Sequence, residues 1–182
     1  NSAYNELITL FPESCIESPQ IAYENTDPYD ILRKYLNKRY DLIVGTSFGG
    51  FYAFVLGSVL HVNTVLLNPC VPPHKYIPTL VPDYKYAERL EFIWEKFCRG
   101  SRRFTRRGPR GEMLDFEARS LVILGTRDEI LDYELTQEVL PAMKFVKIEK
   151  GHRLNDAESR KLLNRCVRHI LCESDLYKDL IE

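Results

Sequence analysis

Tyr40-Asp-Leu-Ile-Val-Gly-Thr-Ser-Phe-Gly-Gly-Phe-Tyr-Ala-Phe-Val-Leu56 is the stretch whose reading decides the fold. Tyr40 to Val44 reads as a short buried strand, and Phe51 to Leu56 is apolar on every side, as a buried helix is. Between them Gly45-Thr46-Ser47-Phe48-Gly49 matches the pattern G-x-S-x-G. A sharp strand-to-helix turn forces the central serine into a strained backbone and crowds the residues two places either side, where minimal side chains are needed. The turn lifts Ser47 Oγ clear of the sheet edge. The helix N-terminus beneath favours a developing oxyanion, with the Phe48 backbone N–H as one donor. A Gly-rich turn that binds phosphate, or merely packs tightly, would carry the same pattern, so the serine has to be judged by its partners.

Those partners are found downstream. A serine hydroxyl is too weakly acidic to attack at neutral pH without a base, and the base needs a third group to fix its tautomer. Three β-rich runs follow the quoted stretch: Thr64 to Leu67, Leu121 to Leu124 and Phe145 to Ile148. Asp128 comes just after the second of them, in Gly125-Thr-Arg-Asp-Glu-Ile130, and His152 follows the third, in Glu149-Lys-Gly-His152. The order Ser, Asp, His and the position of all three at C-terminal strand ends put Ser47, His152 and Asp128 forward as nucleophile, base and orienting acid. Glu129 and Asp132 compete for the acid position, although Asp132 looks more like the N-cap of a helix over 132–140. His61, at a helix end, and His74, at the start of the insertion, read as surface or capping residues, although His74 could reach the pocket.

Further out, strands alternate with helices, which implies parallel strands joined by right-handed crossovers. A short helix from Tyr4 to Phe11 ends at Pro12, and Cys15-Ile16 reads as a brief strand. Asp27 and Pro28 open a helix as N-cap and first residue. Asn155, with Glu158 in a capping box, opens the last helix, whose inner face is Leu162, Leu163, Cys166, Val167, Ile170 and Leu171. About fifty residues separate Leu67 from Leu121, too many for a structureless loop in a compact domain. This insertion, about 71–117, contains a helix over 84–97 and then a run with six arginines from Arg99 to Arg110.

Composition bounds the rest. At 182 residues and 45% hydrophobic, the chain is long enough to bury one core as a single domain over 1–182. Lys and Arg (25) nearly cancel Asp and Glu (26), so no overall field selects nucleic acid or an anionic membrane. The five cysteines form no CxxC pair, which suits a reducing, cytoplasmic setting. Cys166, His169 and Cys172 recur every three residues, but one helix cannot wrap three ligands round a metal, so they read as the inner edge of an amphipathic helix. No run approaches a membrane span, and the start carries no signal-like stretch.

Gly-Thr-Ser-Phe-Gly-Gly-Phe-Tyr-Ala (45–53), Val-Leu-Leu-Asn-Pro-Cys-Val (65–71), Asp-Glu-Ile-Leu-Asp-Tyr (128–133) and Gly-His (151–152) resemble, in order, the small bacterial YqiA/YcfP-type esterases of the α/β-hydrolase superfamily. The resemblance runs from about residue 1 to 171. It implies an α/β-hydrolase fold, Ser47 as nucleophile, Asp128 as acid, His152 as base and a small-molecule partner, a short acyl ester. Proteins of that superfamily usually begin with a strand ending in a His-Gly-type loop that supplies half the oxyanion hole. This chain has no such segment, so residues before Asn1 are expected in the natural protein, adding a strand between the one near Cys15 and the one ending at Val44.

The expected function is therefore acyl-ester hydrolysis needing no metal and no organic cofactor. The insertion would serve as a lid, with Tyr84, Tyr86, Phe92 and Trp94 as walls of an acyl pocket. The alternative is a catalytically idle scaffold that binds a partner or an anionic ligand through the insertion and the arginine run; a lone aromatic, Phe104, within that run gives base stacking little support.

Overall fold

The computed structural model describes residues 2–97, 106–107, 113–114 and 116–172. Helix α1 (Ser2–Leu10) is followed by 3-10 turns at Glu13–Cys15 and Tyr23–Asn25, then by α2 (Pro28–Leu36), β1 (Leu42–Thr46), α3 (Ser47–Leu60) and β2 (Asn63–Leu67). The insertion holds α4 (Pro73–Leu80), α5 (Ala87–Phe97) and a small antiparallel pair, β3 (Arg106–Arg107) with β4 (Met113–Leu114). The chain closes with β5 (Ser120–Gly125), α6 (Tyr133–Val139), β6 (Lys144–Ile148) and α7 (Ala157–Cys172).

The main sheet is parallel throughout, in the order β1-β2-β5-β6. Its two faces divide the core by the alternation of side chains along a strand. Leu66, Val122 and Leu124 pack with α2, α3 and the insertion helices, whereas Val65, Leu67, Leu121 and Ile123 pack with α1 and α7. β2 and β5 are buried over their whole length, while β1 and β6 are largely half-exposed, as edge strands are. Helix α3 is buried from Gly50 to Ser58, which explains why its sequence is apolar all round. A Cβ on Gly57 would overlap Thr64 Oγ1 and lie 3.0 Å from the Phe116 ring, so α3 seats flush on β2.

Several expectations are corrected. Cys15-Ile16 forms no strand: Pro12 leads into a single 3-10 turn, Cys15 is exposed, and the two apolar residues have no strand to pair with among the described residues. The last helix is capped by Asp156, whose Oδ1 accepts from Glu158 N (2.9 Å) and Ser159 N (3.2 Å); Glu158 pairs with Lys150 instead of closing a box on Asn155. Helix α4 is unexpected from a sequence in which Pro72, Pro73 and Pro78 look like breakers, yet Pro73 sits in the first turn, where its missing N–H costs nothing. Of the triplet in α7, Cys166 is buried but His169 and Cys172 face outward. The caps at Asp27 and Asp132 are as read, accepting from Tyr29 N (3.0 Å) and from Glu134 N (2.9 Å).

Candidate active site

The turn between β1 and α3 is where backbone geometry becomes unusual. Thr46 is extended (φ −119, ψ 141) and Ser47 enters the left-handed region at φ 50. That region costs an L-residue roughly 1–2 kcal/mol, so packing around the turn has to hold it. A Cβ on Gly45 would overlap that of Ala53 and stand 2.6 Å from Gly49 O, and one on Gly50 would stand 2.8 Å from Pro69 Cα. At Gly49 a Cβ would meet Tyr23 Oη at 3.3 Å and nothing nearer. The crowding expected symmetrically at Gly45 and Gly49 thus falls on Gly45 and Gly50. Cys70 N also donates to Ser47 O at 2.8 Å, tying the turn to the segment after β2.

His152 arrives from the loop after β6 and Asp128 from the turn after β5. The imidazole lies between the two side chains, with Nε2 3.0 Å from Ser47 Oγ and Nδ1 2.9 Å from Asp128 Oδ2. Ionised Asp128 can only accept, so Nδ1 carries the proton in that bond, and in the neutral imidazole Nε2 is then left to accept from the serine hydroxyl. Asp128 Oδ1 is occupied by two backbone donors, Ile130 N and Leu131 N, each at 2.8 Å. The carboxylate is 1% exposed and the imidazole 12%. Burial would raise the Asp128 pKa, but the His152 bond and the two N–H donors outweigh it and hold the carboxyl below its ordinary value.

The rival carboxylates separate cleanly. Asp132 caps α6, and Glu129 Oε2 accepts from the His152 main-chain N–H at 3.0 Å without reaching the ring. The first-turn N–H groups of α3, Phe48 among them, have no intrahelical acceptor, and Thr46 makes no side-chain cap there. His61 ends α3 at φ 55, at the far end from Ser47, and His74 lies on α4.

Cys70 is a second candidate nucleophile close by. It is 1% exposed, and burial, with the Asp128 charge adding to it, pushes its thiol up to about 12, so it stays protonated and inert. Beside the serine, Phe48 packs against Tyr23 (4.9 Å between centroids), Tyr52 (5.2 Å) and Tyr84 (6.2 Å), and Tyr84 against Tyr86 (5.8 Å). Of the four aromatics read as pocket walls, Tyr84 thus adjoins Phe48 and Tyr86 lies behind it against Tyr84, while Trp94 is buried against Phe54 and Phe92 is half exposed. Polar contacts also fasten the described part of the insertion: Arg89 of α5 pairs with Asp27, and Tyr76 of α4 accepts from Asp132 N at 3.2 Å. The arginine run, apart from the backbone of β3, lies outside the described residues.

Asn68 carried no assigned role in the sequence. It follows β2, is 3% exposed at φ 40, and bonds to Gly125 N (2.7 Å) and to the carbonyls of His152 (2.9 Å) and Gly151 (3.3 Å). A polar residue directly after a fully buried strand was the signal available. Among the described residues no group of three or more His, Cys, Asp or Glu side chains is arranged to hold a metal ion, and no helix is long and apolar enough to cross a membrane.

The chain belongs to the uncharacterised protein family UPF0227, whose model matches residues 18–167, in agreement with the YqiA/YcfP-type resemblance of its motifs. No curated protein matches it in sequence. Among solved structures it is similar to that of the pyrethroid hydrolase PytH with BIF, at a TM-score of 0.54 and 14% identity, covering 93% of this chain and 92% of that one. That likeness shows the α/β-hydrolase fold.

Proposed function

We propose that this member of UPF0227 is a serine hydrolase that cleaves small acyl esters through an acyl-enzyme on Ser47. Ser47 Oγ attacks the ester carbonyl carbon while its proton passes to His152 Nε2, and Asp128 steadies the resulting imidazolium through Nδ1. The Phe48 N–H donates to the oxyanion. Collapse of the tetrahedral intermediate breaks the bond to the alcohol, which leaves with the proton from His152. Water then attacks the acyl carbon, returns a proton to His152, and releases the acid as Ser47 regains its hydroxyl hydrogen. The described part of the insertion, with α4 and α5, acts as the lid, with Tyr84 and Tyr86 flanking the acyl group.

The observation that carries this reading is the unbroken bond chain Asp128–His152–Ser47, at 2.9 and 3.0 Å, with the serine at φ 50. The test is intact-mass labelling with a fluorophosphonate, which reacts only with an activated hydroxyl. One adduct on the parent protein and none on Ser47→Ala is the expected result. No adduct on folded parent protein overturns the reading and favours an idle scaffold that binds through its insertion.

A further inference from the structure

Two side chains reach the ring of His152, and two others hold its main chain. Glu129 Oε2 accepts from the His152 N–H at 3.0 Å, and Asn68 Nδ2 donates to the His152 carbonyl at 2.9 Å and to that of Gly151 at 3.3 Å. The other end of the Asn68 amide accepts from Gly125 N at 2.7 Å, and Asn68 N donates to Ile123 O at 2.9 Å. Chemistry fixes the amide orientation, because Gly125 N–H can only donate and the two carbonyls can only accept. Asn68 thereby rivets the end of β2 to the end of β5 and to the loop after β6.

The arrangement is tight and strained. Asn68 is 3% exposed and left-handed at φ 40, a conformation that Asn tolerates better than most residues. A Cβ on Gly125 would stand 2.6 Å from Lys150 O and 2.7 Å from Gly151 O, so the β5 turn and the histidine loop lie in backbone contact. Glu129 is solvent-exposed, and its bond from the His152 N–H lowers its pKa. Asp128 and Glu129 thus divide two tasks within one turn: the first holds the ring, the second the backbone.

We propose that Asn68 and Glu129 are positioning residues that clamp the His152 peptide from both sides and so set its imidazole between Asp128 and Ser47. This rests on the serine-hydrolase reading. A misplacement of about 1 Å is enough to cost on the order of a hundredfold in rate, and the backbone bond from Arg127 N to Lys150 O (2.9 Å) stops two residues short of His152, where Asn68 and Glu129 take over.

The test uses four variants and two readouts. Glu129→Gln keeps an acceptor for the His152 N–H, whereas Glu129→Ala removes it. Asn68→Asp keeps the acceptor for Gly125 N but turns a carboxylate oxygen on two carbonyls, and Asn68→Ala removes the clamp outright. The first readout is the phosphonylation rate of Ser47, resolved into limiting rate and half-saturation. The second is the tautomer of the His152 ring, read by long-range 1H–15N correlation in 15N-histidine protein.

In Glu129→Ala and Asn68→Asp the limiting rate is expected to fall tenfold or more, on the order of a misplaced base, with half-saturation unchanged. Their His152 ring becomes a mixture of tautomers, while Glu129→Gln keeps the parent's rate and its Nδ1-protonated form. Folded Glu129→Ala with the parent's rate and tautomer overturns the proposal. If the parent itself is not phosphonylated, the hydrolase reading fails, and the tautomer still decides whether the clamp sets the ring. Should both Asn68 variants fail to fold, the Glu129 pair alone decides.

Discussion

At the residue scale the chain shows how one carboxylate is assigned a role among several. Asp128, Glu129 and Asp132 lie within five positions, and what separates them is which donors each one meets. Asp128 meets two backbone N–H groups on one oxygen and the imidazole on the other, so it stays ionised although nearly enclosed. Asp128→Asn keeps the shape but presents an amide that can donate to Nδ1, which favours the wrong tautomer. On the proposed mechanism esterase turnover should drop by about 10³–10⁴-fold with the far-UV spectrum unchanged. The same group gives a pH prediction. Its folded pKa lies below the ordinary 3.8, so its ionised form stabilises the fold above that value and the contribution is lost as pH falls through the lower folded value. Urea midpoints of parent and Asp128→Asn should therefore differ most above about pH 4 and converge as the pH is lowered further; curves that stay parallel would mean that the Asp128 charge has no net effect on folding.

At the element scale the decisive contact is α3 against β2. Helix propensity alone says that Gly57→Ala should stabilise a helix interior by about 1 kcal/mol. Packing says the reverse, since the new methyl would overlap Thr64 Oγ1 and press on Thr64 Cβ (3.1 Å) and the Phe116 ring (3.0 Å). Overpacking a rigid core costs typically about 1–3 kcal/mol, so packing wins and the variant should unfold at lower denaturant, with an unchanged m-value. The elements that the sequence made legible are those with a strong local signal: the apolar run of α3, the Asp-Pro start of α2, the short β-branched runs of the parallel sheet. Helix α4 was hidden by its prolines, and the Asp156 cap was displaced by one residue because Asn155 and Asp156 are equally good capping types. Cys15-Ile16 failed as a strand because a strand is made by its neighbour, and two apolar residues say nothing about whether one is there.

At the scale of the whole molecule, the candidate site is a consequence of parallel strands ending on one edge. Ser47, Asn68, Asp128 and His152 each follow a different strand, β1, β2, β5 and β6, so residues far apart in sequence converge without any loop of unusual length. Three of these positions were legible because their chemistry is distinctive and ordered; the role of Asn68 was not, because a side chain that holds main chain is marked only by being polar after a buried strand. The same topology predicts a gradient of stability across the sheet. β2 and β5 are buried throughout and paired on both sides, whereas β1 and β6 are half-exposed and pair on one side only among the described residues. Amide exchange read by mass spectrometry should be slowest in peptides covering 63–67 and 120–125, limited there by global unfolding, and faster in 42–46 and 144–148. The comparison between β1 and β6 carries the most weight. β1 leads directly into the strained serine turn, so faster exchange there would place Ser47 on a fraying edge. Protection of β1 equal to that of β2 would mean that its outer N–H groups are bonded in solution, since a buried or slowly exchanging amide needs an acceptor, and would identify that edge as a surface covered by another strand.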